Sequence, residues 1–417
     1  MPISRVLALL LLSISMATAV VALTSRSTAI ETSPVVAARG VSPDATSDNG
    51  QRKLARTGHG TLYLAVSGPV GDVEQAQVLF SIDGGQSWKP DVVLGQEGVW
   101  SDLATIAAGD GGRIDAAWVD YSGVGHVWYA SKQNEEWSDF VKISPGETYA
   151  GFPAMVIREG AASVLWYAAP PADDREHGSA YEIFHSELSS GEWSIPELLS
   201  SDSEDALNPS LAIAPDSTLH GAWFQDQQGT YAAQHAVFDG QTWEVPSAIS
   251  LREGTATGVA VEVDGSGVSH MVWEQAVDES VGVAYARFED GAWSEPMLLS
   301  DARAQDPVLA FDSADNIAVV WSEDAEVMVR IFDGTWSAIQ GLGPGVNPSL
   351  LSGDEIVAAW TRDTGAGPEV VVTPLTISHP SGNKLALWVV AVVTGLGGLA
   401  LMFLGRSGSV YSGDGED

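Results

Sequence analysis

Cysteine is missing from all 417 residues, which rules out disulfides, thiolate metal sites and a cysteine nucleophile. Positive charge is scarce: 19 Lys+Arg face 55 Asp+Glu, a formal charge of −36, and only five of the basic residues are lysine. A surface of that sign repels nucleic acid and anionic lipid headgroups and excludes them as partners. It suits a protein working in high salt, where screening relieves the self-repulsion, as in a halophile. Helical periodicity is also absent between the two apolar ends. That middle stretch holds no H-E-x-x-H, no P-loop and no G-x-S-x-G phrase.

What is present begins with those ends. Arg5 precedes an apolar run at 6–23, so residues 1–23 read as a secretory signal peptide or an uncleaved anchor. Residues 385–404, LALWVVAVVTGLGGLALMFL, are twenty without a charge, enough for one transmembrane helix. Ala391 and Gly395 form a small-xxx-small pair within it, a candidate contact for helix dimerisation. The expected protein is single-pass in the cell membrane. Its ectodomain lies outside and a short tail, 405–417, inside. Residues 24–51 and 377–384 are the expected linkers.

Between the linkers, tryptophan marks a repeat. One set closes a short apolar run: Trp118, Trp166, Trp223, Trp273, Trp321 and Trp360. A second set follows a polar turn: Trp88, Trp137, Trp193, Trp243, Trp293 and Trp336. The sets alternate, each recurring about every fifty residues, which is a repeat architecture. Each unit reads as four short strands. The first often opens on proline (Pro153, Pro209, Pro307, Pro348), tolerated at a strand start because no ladder bond is lost. Four antiparallel strands repeated radially make an all-β β-propeller. Counting units over 52–376 gives seven blades, with six or eight left open. The last unit lacks a fourth strand, and "ETSPVVAARG" at 31–40 resembles the missing phrase, so residues 33–38 are expected to close the ring.

The stretch "SIDGGQSW" carries a family resemblance. Ser81, Asp83, Gly85 and Trp88 match the Asp-box, S-x-D-x-G-x-x-W, of the sialidase-like (BNR-repeat) propellers, and the later units resemble degraded copies. The resemblance implies a structural hairpin between third and fourth strands, on the face away from any active site. Its sialidase members use three arginines, a tyrosine with a partnering glutamate, and an acid/base aspartate. The early arginine belongs to an R-I-P-like phrase, whereas this chain reads "QRKLARTGHG", so the resemblance supplies no catalytic residue.

Loops linking second to third strands share the opposite face with the blade linkers. They place Asp120, Asp226, Glu274, Glu323, Arg362 and Asp363 at similar heights, as candidates for the ligand face. Such carboxylates suit a cation or a hydroxyl-rich ligand, and a pair of them could hydrolyse a glycoside. No cofactor is expected, and no calcium-loop motif supports Ca²⁺. Loop 167–181, with His177, is the longest, while His220 and His270 occupy matching repeat positions. The expected function is binding of a cell-surface protein or glycan. The alternative is a glycan-active hydrolase or lyase on the same scaffold.

Overall fold

Apolar runs alternating at period two form strands, and the strands assemble into seven antiparallel sheets. The computed structural model describes residues 29–378 apart from 147–148, 170–179, 201–203, 250–253, 278–279, 290 and 301–302. The expected signal segment, membrane span and tail, with Ala391 and Gly395, lie outside the described residues, as does His177. Among the described residues no helix is long and apolar enough to cross a membrane. The one helical element among them is a 3-10 turn at Asp110–Gly112.

Blade 4 shows the common plan. Its inner strand Ala206–Ile213 pairs with Leu219–Asp226, then Tyr231–Phe238, then the outer Ser247–Ala248. Inner strands of successive blades are neighbours, and the last, Val346–Leu351, meets the first, Leu54–Arg56. The chain is therefore a seven-bladed β-propeller. Blade 7 takes its outer strand from the N-terminal side: Val35–Arg39 pairs antiparallel with Pro368–Ser378, Val35 opposite Val372. That leaves no open edge where the ring's two ends meet.

Tryptophans hold the blades together. Trp118, Trp166, Trp223, Trp273, Trp321 and Trp360 are all fully buried. Each packs against the preceding blade, as Trp223 does against Leu165 and Ile183 of blade 3. Truncating one to alanine would cost about 3–5 kcal/mol. Four of the second set stack edge-on against the third strand of the preceding blade. Trp193 meets Tyr129 at 4.9 Å, Trp243 meets His185 at 5.1 Å, Trp293 meets His235 at 4.9 Å and Trp336 meets Tyr285 at 5.1 Å.

Six inner strands share a bulge. Leu103, Phe152, Asn208, Gly258, Asp306 and Asn347 all have φ between 48° and 56°. The sheet register shifts at each of these points. Asn and Asp tolerate this left-handed geometry, and the extra residue leaves backbone carbonyls outside the ladder. Residues 41–53 fill the centre of the ring and answer them. Gln51 Nε2 donates to Leu103 O (2.9 Å) and Pro153 O (3.0 Å), and Thr46 Oγ1 to Asn347 O (2.8 Å). Asn49 Nδ2 reaches Gly258 O and Pro307 O. Gly50 fits because a Cβ there would sit 2.6 Å from Pro209 O. One segment thus touches six blades at the axis.

Candidate functional site

Two faces differ in character. The Asp-box lies at the turn from third to outer strand of blade 1. Asp83 Oδ1 accepts from Ser87 N (2.9 Å) and Ser81 Oγ (2.8 Å), and its Oδ2 accepts from Ser87 Oγ (2.6 Å). Ser81 Oγ accepts from Gly85 N, and Trp88 Nε1 donates to Gly85 O. Gly84 and Gly85 supply the positive φ the turn needs, 71° and 90°. The bonds from Ser87, then that from Ser81, pull the Asp83 carboxyl down to about 2. Every polar group of the box is spent on its own turn.

On the opposite face, the carboxylates expected as a ring are committed within their blades, to the preceding linker or to the next blade. Asp120, buried, accepts from Gln96 N (3.1 Å) and Ser122 N (3.0 Å). Asp226 caps Gly229 N at 2.6 Å, and Asp363 caps Gly365 N at 2.8 Å. Glu323 accepts from Trp321 Nε1 (3.1 Å) and Ser300 Oγ (3.3 Å). Arg362 is held by Glu369 at 2.7 Å, which also binds Arg39. Only Glu274 reaches the axial rim. Its Oε2 accepts from Thr257 Oγ1 (3.0 Å) and its Oε1 from Asp306 N (2.9 Å). Among the described residues no group of three or more His, Asp or Glu could hold a metal. Apart from Arg39 and Arg362, which share Glu369, the paired arginines sit on separate blades: Arg113 with Asp115 and Arg158 with Glu187.

What does gather on this face comes from residues the sequence reading passed over. Asp48, on the central segment, interacts with Asp102, Lys53 and Asp44. Its carboxyl is raised to about 6, mainly by burial, with Asp102 adding to the lift and Lys53 opposing it. Asp306 is raised to about 7 by burial, then by Glu274 and Asp48. Lys53, donating to Gln51 Oε1 (2.7 Å) and Ala104 O (2.9 Å), is buried, and burial lowers its pKa.

Beside these acids lies an aromatic floor on blades 2 and 3. Trp100, half exposed, stacks on Tyr121 with centroids 4.6 Å apart. Tyr121 leads to Tyr149 at 6.4 Å, which meets Tyr167 at 5.9 Å and Tyr181 at 6.2 Å. Tyr149 lies against two glycines. A Cβ at Gly125 would come within 2.7 Å of its ring, and one at Gly151 would collide with its hydroxyl. Burial raises the pKa of Tyr121, Tyr149 and Tyr167, so all three stay protonated donors. Asp102 and Asp48 push Tyr121 further the same way, which ties the floor to the acidic rim. Several of these tyrosines sit where strands meet loops on this face, a placement the tryptophan repeat did not single out.

No family model and no curated protein matches this sequence. Solved structures do match in shape. An ulvan lyase, a polysaccharide lyase bound to a GlcA(1-4)Rha3S unit, is 11% identical over 83% of this chain and 96% of its own, with a TM-score of 0.56. A protein of unknown function from Dyadobacter fermentans is 11% identical over 68% of this chain and 96% of its own, with a TM-score of 0.52. At such identity the likeness is one of fold, the seven-bladed propeller.

Proposed function

We propose that the protein is a membrane-anchored extracellular propeller that binds a glycan on the aromatic floor of blades 2 and 3. The observation that carries this reading is the half-exposed Trp100 stacked on Tyr121, continued by three further tyrosines. Flat rings offer sugar C–H faces apolar contact, while phenol hydroxyls and nearby carboxylates hydrogen-bond to hydroxyls. In the expected topology the apolar end at 385–404 would hold this domain outside the cell. The test is a glycan array probed with the protein and with Trp100→Ala. The reading expects glycans bound by the first and lost with the second.

A second reading, a glycan-active enzyme, draws on the acids at the axis. Asp306, raised to about 7 beside Glu274, would carry a proton near neutral pH, as a general acid must. The fold shared with an ulvan lyase fits that reading. Turnover of any glycoside or polysaccharide, abolished in both Asp306→Asn and Glu274→Gln, would establish it.

A further inference from the structure

The chain enters and leaves the propeller at one corner. The strand Ala29–Glu31 pairs antiparallel with the end of Pro368–Ser378, Ala29 opposite Ser378 and Glu31 opposite Thr376. Paired strands lie about 5 Å apart, so entry and exit nearly coincide. The clasp is held in place. Ile30 and Ile377 pack on the apolar core of blades 6 and 7, and Ile30 N donates to Gln340 Oε1 of blade 6 at 3.3 Å.

That corner belongs to the Asp-box face. Thr376 Oγ1 donates to Glu355 Oε1 at 3.0 Å, in the turn between first and second strands of blade 7. Asp354 and Glu355 share a cleft of about 300 Å³ with Gly84, Gly85 and Gln86 of the Asp-box. The other end of the strand, Pro368, stands opposite Asp363, at the face that carries the aromatic floor. Pro368–Ser378 is 11 residues long. Its two ends, and with them the two faces, are therefore about 30 Å apart.

The strand ends at Ser378 and the apolar run begins at 385, so residues 379–384 are a tether of six. Even fully extended, such a tether spans about 20–25 Å. It is too short to carry the apolar run back past Pro368. Residues 24–28 set the same limit on the apolar run at 6–23, which starts from the same corner.

We infer that this short tether turns the Asp-box face toward the bilayer holding residues 385–404 and turns the aromatic floor away from it. The inference rests on the membrane anchoring proposed above and adds an orientation to it. The floor then meets glycans arriving from outside, and the face carrying Ser81, Asp83, Gly85 and Trp88 is the one next to the lipid.

The absence of cysteine makes the test direct, because one introduced thiol takes one label. Ile82, 74% exposed at the Asp-box tip, and Val124, 43% exposed on the opposite face, are the positions to label. Full-length Ile82→Cys and Val124→Cys, each carrying a donor fluorophore, go into phosphatidylcholine vesicles containing a headgroup-labelled acceptor lipid. Energy transfer to the lipid should be at least twofold greater from position 82 than from 124. A long Gly/Ser insertion within 379–384 should shrink that difference. Equal or reversed transfer, in protein that floats with the vesicles, overturns the orientation and leaves the anchor and the glycan reading standing. A difference that survives the insertion overturns it too, because the tether would not be its cause. Protein that does not float with the vesicles overturns the anchor and the orientation together.

Discussion

The side-chain amide of Asn49 donates to the carbonyl of Pro307 at 2.8 Å, across 258 residues of chain. The same nitrogen reaches Gly258 O at 2.6 Å, so one side chain ties blades 5 and 6 to the axis. Removing it leaves two carbonyls unanswered. Asn49→Ala should lower stability by about 1–3 kcal/mol, read as a shifted urea midpoint with the m-value unchanged. An unchanged midpoint would mean that water replaces the amide and that the central segment is not a structural keystone.

Buried histidines make the propeller acid-sensitive. Burial pushes His185 and His220 down to about 4 and His235 to about 3. His220 Nδ1 lies 3.1 Å from His235 Nε2, so the pair cannot both be protonated without repulsion. The folded state holds each ring neutral, whereas the unfolded chain protonates it near 6.5. The stability they contribute is whole above about pH 6.5 and is lost as pH falls through about 4, on the order of 3 kcal/mol for His185. Urea midpoints should therefore drop between pH 7 and pH 4.5. His185→Tyr, which installs the residue that blades 2 and 5 place against Trp193 and Trp336, should flatten that drop. An equal slope in the variant would contradict the assignment.

Asp306 has the opposite sign. Its carboxyl is raised to about 7, so the fold prefers it protonated and loses stability as pH rises from about 4 through 7. Asp306→Asn keeps the shape and removes the charge. Its Tm should exceed that of wild type at pH 8 and converge with it at pH 4. A variant that is less stable at pH 8 would show the carboxylate to be held by a favourable partner instead.

Much of the scaffold could be read from the residues. Trp118 through Trp360 at a fixed spacing report blade interfaces because only a packed repeat needs a large ring at each junction. The degenerate strand phrase at 31–40 likewise matches the outer strand Val35–Arg39. The face opposite the Asp-box was harder. Asp120, Asp226, Glu323 and Asp363 look alike in sequence to any loop acid, and whether such a group caps its own turn or faces a ligand depends on backbone geometry. Tyr121, Tyr149, Tyr167 and Tyr181 come from two blades and assemble only when those blades meet. Residues 41–53 carry no strand period, so their place at the axis becomes visible only with the bulge carbonyls they bind.

The Asp-box should be silent in binding. Asp83 closes its own turn, with its carboxyl pulled to about 2 by Ser87 and Ser81. The contribution of those bonds is present above about pH 3.8 and lost as pH falls through 2. Asp83→Ala should lower Tm at pH 7 and leave saccharide affinity unchanged. A variant with intact fold and weakened binding would put ligand on the wrong face.

The most direct measurement is the affinity of the full chain for arrayed glycans, compared between wild type and Trp100→Ala with matched Tm. The account predicts that wild type retains at least one glycan and that Trp100→Ala loses at least tenfold in affinity for it. Retention of no glycan, or equal retention by both proteins, would contradict it.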